Sequence, residues 1–271
     1  MSRRADLALA IGEMSDEKLK QALASYRFYH EIEIRPGVVT KSADPFRTHW
    51  AFITEQLKGV DFKGARVLDV GCRDGLFSLL AEKRGAAYVK GIDNNLSLGA
   101  TEVVLPALGS AVEMEEENLL HFVDEPYDIV MCFGVLYHLR YPVAGLAALL
   151  HLVKPGGRLL IETAVLSRVL PVMQPLSELP LLYCPFEPNP YEPTSVSYFN
   201  RCGLVTTLKS LGGAVKEFVY GPESLLNTCS HALGATAEVR RAFAHCVKDS
   251  DPKELSGLRR YWSGTHDSHT S

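Results

Sequence analysis

No stretch of this chain approaches the roughly 20 consecutive apolar residues that a membrane span requires. The longest apolar-rich segment, Val143–Val153, is shorter and runs straight into Lys-Pro-Gly-Gly. The Met-Ser-Arg-Arg start is not followed by the uninterrupted apolar core and small-residue cleavage site of a secretory leader. An excess of one charge is also missing. The 28 Lys+Arg stand against 32 Asp+Glu, a formal net charge of −4, which argues against a nucleic-acid binder working through overall positive charge. The six cysteines (72, 132, 184, 202, 229 and 246) form no C-x-x-C pair and no zinc pattern. The nine histidines show no ligand spacing, so no metal site is expected. Cysteines lying mostly in apolar segments read as free thiols in a reducing cytoplasm. What is present, 46% hydrophobic residues over 271 positions, suffices for a substantial ordered core.

Residues 15–30 read as a helix with Ser15 as N-cap and Asp16 and Glu17 in the first turn, where acids suit the helix dipole. The segment 29–40, with Pro36-Gly37 between apolar residues, reads as a hairpin, and residues 45–59 as a second helix. From residue 65 strands and helices alternate. Strands are predicted over 66–70, 88–92, 111–114, 127–133 and 157–162, and helices over 76–83, 96–108 and 142–153. This order predicts an α/β fold, a doubly wound, mostly parallel sheet. Residues 164–193 hold seven prolines and read as a Pro-rich insert after the fifth strand. A helix is predicted over 195–212 and a strand over 214–220. The apolar residues of 240–248 fit both periods, and strand is preferred because such sheets commonly end with one. The predicted organisation is an N-terminal helical and hairpin lid (1–44), a main domain (45–250) and a polar tail (251–271).

The informative segment is Asp69-Val70-Gly71-Cys72-Arg73-Asp74-Gly75, where a buried strand ends in a glycine-bearing turn and feeds a helix. Ligands of open α/β sheets bind beyond the carboxyl ends of strands. One βα unit later, Asp93 ends the next strand, placed to accept hydrogen bonds from both hydroxyls of a ribose. The dinucleotide fingerprint G-x-G-x-x-G fails here, because Arg73 and Leu76 occupy its second and third glycines. An arginine side chain is hard to reconcile with a pyrophosphate at that point, so a nucleoside cofactor without phosphate fits better.

These residues resemble motif I of the class I S-adenosylmethionine-dependent methyltransferases, D-x-G-C-G-x-G, with Arg73 in place of a glycine. Residues 128–139, ending Gly134-Val135-Leu136-Tyr137-His138-Leu139, resemble the family's strand-four motif, and Leu152–Leu159 its L-K-P-G-G turn. The likeness covers roughly residues 45–220. A narrower resemblance, carried by Tyr29–Ile34, Gly37–Thr40 and Gly134–His138, points to the group related to the tRNA wobble-uridine carboxymethyltransferase. The resemblance implies a Rossmann-like fold and S-adenosyl-L-methionine as cofactor. In the carboxylated-cofactor branch a cation must meet the extra carboxylate, with Arg35, Lys41 and Arg140 as candidates.

The family pattern then distributes roles. Asp69 meets the amino end of the methionine moiety, or else caps the next helix. Gly71, Cys72, Arg73 and Gly75 form the cofactor turn. Asp93 takes the ribose; Asn94 takes ribose or adenine atoms, or starts the next helix. Glu117 or Asn118 meets the adenine amino group. Phe133 and Gly134 line the methionine half. Tyr29, His30, Tyr137 and Arg140 lie on the acceptor side. His138 is the candidate general base for a hydroxyl acceptor, since imidazole titrates near neutrality; the alternative is a structural histidine bonded to backbone. The preferred partner is a small-molecule acceptor. tRNA is disfavoured by the net charge and by seven acids without Lys or Arg over 113–128. A catalytically silent cofactor-binding protein is a further alternative.

Overall fold

A computed structural model of the chain describes residues 11–42, 47–170, 178–184, 194–230 and 236–249. The chain forms two compact units, one ending at Val135 and the other beginning at Leu136. The predicted polar tail and most prolines of the insert lie outside the described residues.

In the first unit, α1 (Asp16–Ala24) starts as anticipated, with Ser15 Oγ accepting the Lys18 N–H. It stops six residues before the predicted end at residue 30. Tertiary contacts claim the chain that would continue it. Tyr26 and Phe28 close on Gly99, where a Cβ would lie 2.6 Å from the Phe28 ring, and the N–H groups of Tyr29 and His30 are taken by Asp74. The hairpin is present as β1 (Glu33–Arg35) and β2 (Val38–Val39), with Gly37 at φ 78° in the turn. Leu19, Leu23, Phe28, Ile32, Ile34 and Val38 form one buried cluster with Val103 and Val104. The N-terminal segment is therefore built into the core of this unit. Helix α2 (Arg47–Leu57) follows.

The unit's sheet consists of β3 (Arg66–Val70), β4 (Tyr88–Asp93), β5 (Glu113–Glu116) and β6 (Tyr127–Phe133), in spatial order β6-β3-β4-β5 and parallel throughout. Helix α3 (Leu76–Lys83) connects β3 to β4. The chain thus moves outward from β3 to β5 and returns on its other side as β6, which makes the β3/β6 boundary a topological switch point. Val70 is in register with Ile92 and Cys132, so these strands end level. Two expectations shift. The predicted 96–108 helix is a π-helical turn (Ala100–Val104) followed by α4 (Leu105–Leu108). Pro106 has no N–H for the carbonyl four residues back, which opens the turn. The third strand is displaced to Glu113–Glu116 by pairing with β4, assisted by the Lys90–Glu115 ion pair (2.7 Å).

The second unit begins with a 3-10 turn (Leu136–His138) and α5 (Pro142–His151). Strand β7 (Val153–Leu170) is far longer than the predicted 157–162. It carries the chain through the first residues assigned to the insert, because no proline intervenes before 171 and β12 (Thr236–Lys248) pairs with it from Arg158↔Val247 to Leu170↔Thr236. β12 also settles the 240–248 ambiguity as strand. It lies between β7 and β10 (Gly213–Tyr220), antiparallel to both, with β11 (Leu226–Ser230) also on it. Period alone does not decide such a segment; two flanking strands do. The mostly parallel expectation holds, with β6, β3, β4 and β5 parallel to one another, while β12 pairs antiparallel with β7, β10 and β11. A small β8–β9 pair (Leu182–Tyr183 and Tyr198–Phe199) precedes α6 (Arg201–Ser210), which starts later than predicted. Asn200 sets that start: its Oδ1 accepts the N–H groups of Gly203 (2.7 Å) and Leu181 (3.0 Å).

Candidate functional site

The level carboxyl ends of β3, β4 and β6 bring the motif residues of the first unit to one edge. Gly71 leaves β3 at φ 78°, and its N–H donates to Ile92 O at 2.8 Å. A Cβ here would lie 2.1 Å from Val135 Cγ2, so a side chain is excluded by packing as well as by backbone conformation. Gly75 is also left-handed (φ 84°), with Met114 Sδ 3.2 Å from where a Cβ would stand. Between them Arg73 is the one non-glycine among the described residues at positive φ, 50°. This explains why the family pattern carries glycine at that position. The Arg73 side chain folds onto the loop after β4, where its guanidinium donates to Asn95 O.

Asp93 is half-buried at the end of β4. Its Oδ2 accepts the Arg73 N–H at 3.0 Å and its Oδ1 the Asn95 N–H at 2.8 Å. An ionised carboxylate offers about four lone-pair sites, so two N–H groups leave acceptor capacity on each oxygen. Asp69 is buried (2% exposed), and Ser78 Oγ donates to its Oδ2 at 2.6 Å. Burial pushes its carboxyl up to about 7, with the nearby Asp93 charge adding to the rise and the Ser78 bond opposing it. The Cys72 thiol packs under Gly91, 2.8 Å from where a Cβ would stand, and burial raises its pKa well above the ordinary value. Its side chain therefore faces β4. Asn94 is exposed in the following loop.

Glu117 and Asn118 follow β5. The Glu117 N–H donates to Asp93 O at 3.0 Å, which ties this loop to the β4 end. The Glu117 carboxylate accepts the Asn118 N–H, and Asn118 Oδ1 the Leu120 N–H at 2.9 Å. Phe133 ends β6 edge-on to Phe77 (5.0 Å), and Gly134 turns out of the strand at φ 74°. His30 (5% exposed) continues this row, 5.9 Å from Phe77 and 5.3 Å from Trp50, with Tyr29 beside it at 4.8 Å. Arg35 is engaged elsewhere: it donates to Met14 O and Gly12 O and pairs with Asp16. That removes it as a cation for a carboxylated ligand.

In the second unit, Tyr137 is buried. Its carbonyl accepts the N–H groups of Val196 (2.9 Å) and Ser197 (3.1 Å), and the Arg241 guanidinium lies 4.6 Å from its ring. His138 is exposed, with Nδ1 3.0 Å from Thr194 O. A carbonyl partner requires the proton on Nδ1, which leaves the lone pair of the neutral ring on Nε2. Arg140 is exposed. Sequence reasoning gave no role to the Glu162–Arg241 pair, held by two bonds of 2.6 Å with Glu162 wholly buried. Glu162, an acid inside an apolar strand, was the available signal. Burial pulls the Arg241 pKa down, and the Glu162 charge more than reverses it. Among the described residues, no group of three or more His, Cys, Asp or Glu is placed to hold a metal ion. No described helix is long and apolar enough to cross a membrane.

A family model described as a methyltransferase domain matches residues 46–215, more than half of the chain. The chain belongs to the methyltransferase-domain family. Among curated relatives, a ubiquinone biosynthesis O-methyltransferase of Aeromonas salmonicida is 36% identical over 149 residues, 53% of this chain and 58% of the relative. A tRNA U34 carboxymethyltransferase of Azotobacter vinelandii is 40% identical over 117 residues, 40% of this chain and 35% of the relative. The chain thus spans about half or less of the length of these relatives. Among solved structures, the N-terminal domain of EvdMO1 with SAH bound has a TM-score of 0.59 at 16% identity, covering 85% of this chain and 97% of that one. This likeness shows the Rossmann-like methyltransferase fold.

Proposed function

We propose that the protein is an S-adenosyl-L-methionine-dependent methyltransferase acting on a small-molecule acceptor, through a hydroxyl. The observation that carries the cofactor reading is the joint between the Gly71–Gly75 turn and Asp93, at the level ends of β3 and β4. The residues fit the group. Gly71 and Gly75 hold the backbone bare, and Asp93 keeps acceptor capacity for two ribose hydroxyls. Beside the turn, His30 Nδ1 lies 3.4 Å from Asp74 Oδ2 in a buried pair.

In this reading Asp93 holds the ribose, and the Glu117 segment, tied to the Asp93 carbonyl, borders the adenine with Asn94 and Asn118. Phe133 and Gly134 border the methionine half, with Asp69 behind the turn. Cys72 and Arg73 contribute backbone, since their side chains point to β4 and to its loop. When bound, the cofactor supplies a methyl group on an activated sulfonium. The chain's own task is to align the acceptor and exclude water. Residues 1–44 and the insert 164–193 are assigned to the acceptor side, with Tyr29, His30, Tyr137 and Arg140. His138, with its lone pair on Nε2, accepts the hydroxyl proton.

The ubiquinone O-methyltransferase relative supports oxygen as the acceptor atom. The tRNA carboxymethyltransferase relative supports a second reading, transfer to tRNA; the acids at 113, 115, 116 and 117 oppose passage of a phosphate backbone along that edge. The test is calorimetry with S-adenosylhomocysteine, then a mass-shift screen of metabolites and tRNA with the methylated cofactor. Binding at micromolar strength, weakened by at least about 1.5 kcal/mol in Asp93→Ala, supports the cofactor site. Unchanged affinity in that variant removes Asp93 from it.

A further inference from the structure

Asp74 lies between two left-handed residues, Arg73 and Gly75, and is wholly buried. An aspartate just ahead of a helix commonly offers its carboxylate to the first N–H groups of that helix. Here α3 follows Gly75 with no side-chain cap. The carboxylate instead reaches residues 44 and 45 positions back: Oδ2 accepts the Tyr29 N–H at 2.6 Å and the His30 N–H at 2.7 Å, with His30 Nδ1 at 3.4 Å. A buried carboxylate is costly unless such donors meet it.

The other side of the same two residues is braced by the hairpin. Ser42 Oγ donates to Tyr29 O and Thr40 Oγ1 to His30 O, each at 2.7 Å, while Thr40 Oγ1 also accepts the Ile32 N–H at 2.7 Å. The backbone carbonyls of Tyr29 and His30 are thus committed to the hairpin, and their N–H groups tie the segment to the glycine turn through one side chain. His30 then packs on Phe77, and Phe77 on Phe133 at the end of β6. The His30 imidazole and the Ser97 hydroxyl both interact with the Asp74 carboxylate and hold its pKa down against the effect of burial. His30 adjoins both Asp74 and the Trp50 ring, so the joint is packed on both sides.

Resting on the cofactor reading above, we infer that Asp74 is a positioning residue: it fixes the backbone of Tyr29–His30 against the glycine turn, where the acceptor side meets the cofactor site, and so sets how long the cofactor stays bound. It acts through the backbone of that segment, not by touching the acceptor. The full chain is examined as wild type, as Asp74→Asn and as Thr40→Val, which loosens the same segment from the hairpin side. Amide exchange over residues 28–32 should accelerate at least about tenfold in Asp74→Asn, with β3 and β4 still protected, because two hydrogen bonds to a charged acceptor are weakened. The dissociation rate of S-adenosylhomocysteine should rise at least about tenfold in Asp74→Asn and about threefold or more in Thr40→Val, each hydrogen bond having a modest net worth. Faster exchange over 28–32 with unchanged dissociation in both variants would make the joint purely structural and overturn the inference. Unchanged exchange in Asp74→Asn overturns it as well. Should Asp74→Asn not fold, Thr40→Val decides. A wild type that does not bind S-adenosylhomocysteine removes the proposed function and this role together, and is told apart by that binding control.

Discussion

The backbone N–H of Arg73 donates to Asp93 Oδ2 at 3.0 Å, joining the turn after β3 to the end of β4. Arg73 makes this bond at φ 50°, a conformation that costs a side-chain-bearing residue about 1 kcal/mol. The same residue uses its guanidinium to hold Asn95 O. The turn after β3 and the acid that ends β4 are thus one hydrogen-bonded unit.

Arg73→Gly and Arg73→Ala both remove the guanidinium bond, but only glycine relieves the backbone. The glycine variant should be more stable than the alanine variant by about 1 kcal/mol in urea unfolding. Equal stabilities would mean that the left-handed conformation carries no cost here.

The Asp69 carboxyl, lifted by burial to about 7, binds its proton more tightly in the folded chain than in the unfolded one. Folding stability therefore falls as pH rises through the window from the ordinary carboxyl range to about 7. Asp69→Asn lacks this dependence and can still accept the Ser78 hydroxyl. Between about pH 5 and about pH 8 the wild type should lose more stability than the variant, by up to about 2.5 kcal/mol. Parallel pH profiles of the two melting temperatures would contradict the assignment.

Glu162 and Arg241 are buried together, so removing one partner strands a charge. Glu162→Gln should cost about 3–5 kcal/mol, and the Glu162→Gln/Arg241→Met double variant distinctly less than Glu162→Gln alone. Chemical denaturation of the wild type, the two single variants (Glu162→Gln and Arg241→Met) and the double variant measures the coupling, and additive losses would show the two side chains to be independent.

For a hydroxyl acceptor, His138→Ala should lower turnover by about 100- to 10,000-fold, the usual range for a positioned base. Affinity for S-adenosylhomocysteine should stay nearly unchanged. A near-normal rate with a lowered melting temperature would make the Thr194 bond the residue's whole role.

The residues of the glycine turn, Asp93 and the four parallel strands of the first unit were legible in the sequence. Each rests on a local pattern: a short apolar run, a glycine where the backbone must turn, an acid at a strand end. Ser15 as N-cap and the Pro36-Gly37 turn belong to the same class, because adjacent residues suffice to specify them. What lay beyond the sequence depends on partners far along the chain. β7 runs to Leu170 because β12 pairs with it, and 240–248 is strand because it lies between two others. Helix α1 ends at Ala24 because Gly99 and Asp74 take the residues that follow. Asp74 shows the difference most plainly. The sequence placed it in the turn, but only the tertiary structure turned its carboxylate inward, away from the helix it precedes and onto the backbone of Tyr29 and His30. A buried charge accepts whichever donors the packed chain brings to it, and local sequence does not encode that choice.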